Sequence, residues 1–190
     1  MKIAHVVCVY PPYKGGIGNA AKDFASLMES DNEITIFTPA QNNLKFEEKD
    51  GIKIKYLKPF LRYGNGAFLP QLFFKLKNFD IVHLHYPFFG ASEIVYFAKI
   101  FFKKRFKLII HYHMDTNSLS FFSKILSIFS KLIFKLLFKA TDKITFASED
   151  YILRSKLKNF YKNNKQKFHL LPFAVDTDKF FPDSNKKEKD

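Results

Sequence analysis

The 190-residue chain is 47% hydrophobic and 26% charged, which excludes disordered and collagen-like classes and supports one sizeable core rather than two equal domains. Basic residues number 31 against 18 acidic ones, for a formal charge of +13, and only Arg62, Arg105 and Arg154 of them are arginine. Such a lysine surface attracts anions by its field but lacks the guanidinium fork that reads bases, so it points to an acidic membrane surface or a phosphorylated substrate and away from sequence-specific nucleic-acid binding.

Codon bias in an AT-rich genome is the plain alternative source of the lysine and of the 25 phenylalanines. The lone Cys8 rules out an internal disulfide framework and fits a reducing, cytoplasmic compartment. Lys2 precedes an apolar run from Ile3 to Val9, but Pro11-Pro12 cuts it short and no small-residue cleavage site follows, so it is not read as a signal peptide.

Lys2–Val9 reads as a strand covered on both faces. A Tyr-Pro-Pro-Tyr-Lys-Gly-Gly loop leads to a helix from about Gly18 to Glu29, then to strands at Glu33–Thr38 and Ile52–Leu57. Lys58–Pro70, with its prolines and glycines, reads as loop, and Gln71–Asn78 as a short helix. Asp80–Leu84 is a strand ending in His85, and Ser92 is placed as the cap of a helix reaching Phe102. Phe106–Tyr112 is a strand, Leu119–Ala140 a long helix, Lys143–Ala147 a strand, Asp150 to about Tyr161 a helix, and Phe168–Leu171 the last strand. The tail from Ser184 to Asp190 is polar and reads as disordered. Strand and helix alternate almost throughout, which predicts an α/β, doubly wound, mostly parallel Rossmann-like sheet of about seven strands.

Ligands in such a sheet bind beyond the carboxyl ends of the strands. Four of those ends carry polar groups: Gly15, Gly16, Gly18 and Asn19 after the first strand, His85 and Tyr86 after the fourth, His111, His113 and Asp115 after the fifth, and Ser148 and Glu149 after the sixth. Glycines between a strand and a helix let backbone N–H groups approach a phosphate or sugar, although a plain tight turn needs them too. The spacing makes neither a dinucleotide fingerprint nor a Walker loop. A neutral His113 can hydrogen-bond a sugar hydroxyl or polarise a developing charge, with Asp115 orienting it. His-x-His with no third ligand nearby supports no metal site, and no Gly-x-Ser-x-Gly elbow supports a nucleophilic hydrolase.

On the helix Leu119–Ala140, Lys124, Lys131, Lys135 and Lys139 fall within about 80° of one another, with Ile128, Phe134 and Phe138 inside or beside the stripe. A membrane span is rejected because mid-helix lysines cancel the apolar gain. Two readings stand: an interfacial helix with lysines at lipid phosphates, or a core helix with a solvated lysine face. Lys99 and Lys103–Arg105 are read as a second basic patch beside it.

These positions together resemble the N-terminal domain of glycosyltransferase family 4, the group 1 glycosyltransferases of GT-B architecture. The residues that carry the likeness are Ile3–Val9 with Tyr10-Pro11-Pro12 and Gly15-Gly16-Ile17-Gly18, Asp80-Ile81-Val82-His83-Leu84-His85, His113 and Asp115, Ile144–Glu149, and Leu171-Pro172-Phe173-Ala174-Val175-Asp176. The resemblance implies transfer of a sugar from a nucleotide sugar to a glycan or lipid-linked acceptor, with retention of configuration and neither cofactor nor metal. It implies that Gly15, Gly16 and Gly18, with Asn19, approach the donor phosphates and the acceptor and that His113 lies near the transferred sugar. His85, Tyr86, Ser148 and Glu149 are then acceptor-side candidates.

The same resemblance makes residues 1–175 the acceptor-side domain and 176–190 a linker and tail, so that a donor-binding domain, or a partner chain carrying one, is needed for activity. Docking on an acidic membrane at its cytoplasmic face is a further expectation. The family's usual Asn-Gly is Phe173-Ala174 here. A non-catalytic module binding membrane or lipid phosphate on the same fold is the alternative; a dehydrogenase is disfavoured by the missing fingerprint.

Overall fold

The computed structural model describes residues 1–40, 46–103, 105–115 and 132–173. In chain order, β1 (Lys2–Val6) leads to α1 (Gly16–Met28), β2 (Glu33–Pro39), β3 (Phe46–Lys49) and β4 (Ile52–Leu57). A hairpin of β5 (Leu61–Tyr63) and β6 (Gly66–Phe68) precedes α2 (Leu72–Lys75), with its 3-10 extension Leu76–Asn78, and β7 (Ile81–Tyr86). Then come α3 (Ala91–Phe101), β8 (Lys107–Tyr112) and a helix α4 described over 132–140. β9 (Lys143–Phe146), α5 (Glu149–Arg154), α6 (Lys158–Asn163) and β10 (Phe168–Leu170) complete the described chain.

Eight strands form one sheet in the order β10-β9-β8-β7-β1-β2-β4-β3, parallel except for the edge strand β3, which pairs antiparallel with β4. The expected α/β doubly wound sheet is therefore present with one strand more than expected. That strand, Phe46–Lys49, is a short charged edge segment with little apolar pattern to announce it. The hairpin β5–β6 also lies in the stretch read as loop; its strands are three residues each and form a separate two-stranded sheet.

The strand order reverses beside β1, which has β2 on one side and β7 on the other. Residues alternate between faces of the sheet. Ala4, Val6, Val82, Leu84, Leu108 and Ile110 join the larger apolar core with Leu137 and Phe138 of α4 and the buried side of α3. Ile3, Val7, Ile34, Ile36, Ile52 and Ile54 pack against Ala21 and Ala25 of α1 on the opposite face.

Several local expectations change. Gly90, with φ +85°, is the N-cap of α3, and its backbone N–H donates to Glu93 Oε2 at 2.7 Å. Ser92 is not the cap but a buried residue inside the first turn. A Cβ at position 90 would lie 2.5 Å from the Ala67 carbonyl oxygen, so the hairpin and the helix start meet at a glycine in the left-handed region. The helix expected over Asp150–Tyr161 is broken at Ser155, whose Oγ donates back to the Ile152 carbonyl and accepts from Leu157 N–H.

Lys99 is no part of a basic patch. Its side chain is nearly buried, its Nζ donating to Asp142 Oδ2 at 2.7 Å and to the Phe106 carbonyl at 2.9 Å, so it ties α3 to the start of β9. In α4, Lys135 and Lys139 are exposed, whereas Phe138 is buried against Tyr86 and Tyr112 and the half-buried Phe134 packs on Tyr86. Of the two readings of this helix, the described turns fit the core helix with an exposed lysine face. Lys124 and Lys131, and Ile128, lie outside the described residues.

α1 sits directly on the chain that leaves β1. A Cβ on Gly18 would fall 2.6 Å from the Val9 carbonyl oxygen and 3.3 Å from Tyr10 Cα, both backbone atoms that cannot swing aside. A Cβ on Gly16 would meet nothing within 4 Å. Gly18→Ala is expected to lose about 1–3 kcal/mol to overpacking, while Gly16→Ala leaves stability unchanged or raises it by up to about 1 kcal/mol through helix propensity. Thermal unfolding of the two variants measures the difference, and equal midpoints would contradict this account of the packing.

Candidate functional site

The loop from β1 delivers Gly16 and Asn19, in the first turn of α1, to a cleft of about 390 Å³ that is also lined by Ile17, Ala20, Asp23, His113 and Phe173. The glycine turn and the histidine beyond β8 therefore share one opening, next to the point where strand order reverses. The first N–H groups of α1 have no intrahelical acceptor, and the partial positive charge of the helix start faces anions. No acidic residue occupies that first turn to neutralise it. Asp23 follows Asn19 by one helical turn, which puts a carboxylate and an amide on the same side of α1.

His113 is half-buried, its backbone N–H bonded to the Tyr86 carbonyl at 3.0 Å and its ring stacked on Phe173 with centroids 5.7 Å apart and planes 11° apart. Beneath it lies a layer of imidazoles. His5 of β1, His83 and His85 of β7 and His111 of β8 all point to the α1 face, where Phe24 covers three of them at centroid distances of 5.0–6.2 Å. Sheet register explains the cluster: His5 is paired with His83, and His85 with His111. His5 Nδ1 lies 3.0 Å from His85 Nε2, and His85 Nδ1 lies 3.0 Å from His113 Nε2. His111 Nδ1 meets Thr145 Oγ1 at 2.9 Å.

Burial keeps these rings uncharged. It pushes His5 and His113 down to about 3, with the neighbouring His111 adding to the effect at His113, and His111 down to about 4. His83 and His85 are held well below the ordinary value by burial first and by the adjacent imidazoles second. At neutral pH His113 is therefore a neutral hydrogen-bonding group rather than a cation.

The other expected site residues are placed differently. Gly15 and Gly18 back the turn, Gly18 as a contact between helix and chain rather than as cleft lining. His85 is fully buried behind His113. Tyr86 lies on the opposite face of the sheet, stacked on Tyr112 under α4. The Asp115 carboxylate accepts from the Tyr112 hydroxyl and from the Lys156 backbone N–H, and its own N–H donates to Tyr151 Oη. It thus fastens the end of β8 to α5, while the ring of His113 is met by His85. Ser148 Oγ caps α5 by accepting from Tyr151 N–H, and Glu149 accepts from the Tyr161 hydroxyl. Neither of these two lines the cleft.

His5, Asp23 and Phe173 are site residues that the sequence reading passed over. A titratable residue inside an apolar strand was the available signal for His5, and the departure at Phe173-Ala174 marked the other. Ligand nitrogens of His5, His83 and His85 lie within 4.8 Å of one another. A tetrahedral zinc site with bonds of 2.0–2.1 Å needs them roughly 3.3 Å apart. Both ring nitrogens of His85 are already engaged by the other imidazoles, so the trio fits a hydrogen-bonded stack better than a chelate. Cys8 is buried and its thiol is pushed up to about 11, mainly by that burial, which removes it as a nucleophile.

Four histidines with almost no exposure, His5, His83, His85 and His111, make stability depend on pH. Their folded values lie below the unfolded value of about 6.5. The unfolded chain therefore binds more protons once the pH drops below about 6.5, and the stability present above that pH is lost on acidification. Each ring contributes about 1.4 kcal/mol per pH unit, so the four together weaken the fold by on the order of 8 kcal/mol at pH 5. Whole domains hold about 5–15 kcal/mol. Urea unfolding between pH 7.5 and 5 should show this collapse, and a flat profile would mean that the rings are not buried neutral.

The sequence model of glycosyltransferase family 4 matches residues 14–179. No curated protein matches the chain by sequence. Among solved structures, an alpha-glucosyltransferase in complex with UDP and a 13-mer DNA containing a central A:G mismatch superposes with a TM-score of 0.54 at 10% identity. The match covers 94% of this chain and 42% of that one, so the chain spans less than half of its structural neighbour. The likeness is one of fold, a Rossmann-like half of a GT-B glycosyltransferase. With most of its length matched by the family's own sequence pattern, the chain belongs to glycosyltransferase family 4.

Proposed function

We propose that the chain is the acceptor-side domain of a retaining glycosyltransferase that moves a sugar from a nucleotide sugar to a glycan or lipid-linked acceptor. The observation that carries this reading is the cleft in which the free N–H groups of α1, the Asn19 amide, the Asp23 carboxylate and the neutral His113 meet beside an aromatic wall. Its volume falls in the range of about 300–1,000 Å³ usual for small-molecule sites. A carbohydrate needs donors and acceptors for its hydroxyls and an apolar surface for its C–H face, and Asn19, Asp23, His113 and Phe173 supply both. A phosphate oxygen fits the start of α1. The reaction needs no cofactor in this reading, the nucleotide sugar being substrate. In this reading residues 1–175 are the acceptor-side domain and 176–190 the connection to a donor-binding domain or partner chain, on which transfer depends.

NMR titration of the labelled chain tests it. Glycan acceptors or nucleotide sugars should shift Gly16, Asn19 and His113 resonances, with His113→Ala weakening binding about tenfold, as expected for losing one hydrogen bond. Titrations that leave all three unperturbed would refute the site, and robust transfer by the isolated chain would refute its dependence on a second domain.

A location at the cytoplasmic face of an acidic membrane is favoured by one surface. Phe97, Ile100 and Phe101 stand exposed on one side of α3, joined through Phe73 to the exposed Phe74 of α2, and the exposed Lys75, Lys77, Lys103 and Arg105 follow these segments closely along the chain. Phe101 and Phe74 are 72% and 64% exposed, unusual for rings with no solvent role. Aromatic anchors within a basic rim suit a lipid interface. Among the described residues no helix is long and apolar enough to cross a membrane. Co-sedimentation should increase with the fraction of anionic phospholipid in the vesicles and fall for Phe74→Ser/Phe101→Ser; equal pelleting of both proteins would remove the surface from consideration.

A further inference from the structure

Three imidazoles run in line from the interior to the cleft: His5, His85 and His113, each 3.0 Å from the next through Nδ1 on the inner ring and Nε2 on the outer. A neutral imidazole has one N–H and one bare nitrogen, so the line has only two consistent polarities. If it points outward, His5 Nδ1–H donates to His85 and His85 Nδ1–H donates to His113 Nε2. If it points inward, His113 Nε2–H donates to His85 Nδ1 and His85 Nε2–H to His5 Nδ1.

The inner end distinguishes them. His5 Nε2 is buried and has no hydrogen-bond partner among the described residues. Inward polarity makes that nitrogen an N–H donor stranded in the core, whereas outward polarity leaves it a bare lone pair, the less costly defect. The neighbouring ring behaves the same way. His111 Nδ1 faces Thr145 Oγ1, whose hydroxyl has the Ile110 carbonyl to donate to at 3.5 Å, so Nδ1 carries the proton and the orphaned His111 Nε2 is bare.

We propose that His5 and His85 are positioning residues that hold His113 as the Nδ1–H tautomer, so that His113 offers the cleft a hydrogen-bond donor and takes an oxygen acceptor of the bound saccharide or phosphate. Nε2 of His113 is spent on His85, and among the described residues Nδ1 has no protein partner. Phe173 lies flat against the ring and holds its plane. The part of this inference that concerns the ligand rests on the saccharide reading above; the tautomer itself does not.

Long-range proton–nitrogen correlation spectra of the histidine-labelled full chain at pH 7.5 read the tautomers directly and need no substrate. His5, His85 and His113 should each show a protonated Nδ1 and an unprotonated Nε2. A His113 protonated at Nε2 overturns the proposal. In His85→Phe the tautomer ratio of His113 should shift by about fivefold or more towards Nε2–H, the worth of one hydrogen bond. A folded variant with an unchanged ratio overturns the proposal as well. Should that variant not fold, His5→Phe serves, with the loss of preference then read at His85. An Nδ1–H His113 that no saccharide or nucleotide sugar perturbs would uphold the chain of imidazoles and refute the transferase reading. An Nε2–H His113 perturbed by saccharide would do the reverse.

Discussion

His5, His83, His85 and His111 occupy interior positions of three adjacent strands, and rings placed there remain in the folded chain only while uncharged. Parallel pairing fixes their separation, because register sets His5 beside His83 and His85 beside His111. Phe24 from α1 closes over His83, His85 and His111. The state of His113, the one imidazole of the group that lines the cleft, is inherited from this layer through its bond to His85.

The two faces of the sheet consequently do different work. The face under α3 and α4 is a continuous apolar core, with Leu84, Leu108, Ile110 and Phe138 almost wholly buried, and it accounts for cohesion. The face under α1 trades aliphatic contacts for hydrogen-bonded rings near the switch point, where polar groups serve ligand binding. Gly18 connects the two functions: without a side chain there, α1 approaches the chain after β1 closely enough to bring its own N-terminus and Phe24 over the site. Among the described residues, the Lys99–Asp142 ion pair lies apart from this site, between α3 and β9.

Expectations drawn from local sequence failed where a side chain had two plausible partners. Ser92 has the chemistry of a cap, yet Gly90 reaches the positive φ needed where hairpin and helix meet and so takes the position. Lys99 reads as surface charge until Asp142, 43 residues away, is seen beside it. Phe134 and Phe138 border the lysine stripe on a helical wheel, and a wheel does not say which side meets the sheet; the structure turns these two to Tyr86 and Tyr112. Asp115 was the nearest acid to His113 along the chain and instead bonds Tyr112 and Lys156.

The sequence by itself determined the layered α/β architecture, because β-branched runs alternating with amphipathic stretches admit few other arrangements. It also determined the strand ends at which ligand-binding groups appear, since turn glycines and polar residues follow apolar runs at sharp boundaries. Only the tertiary structure decided which of those groups face one another. His5 and His113 are 108 positions apart and become linked through His85 because β1, β7 and β8 are neighbours in the sheet, an order set by crossover connections rather than by local pattern. The same long-range packing turned Phe173 from a departure from the family's pattern into the wall of the cleft.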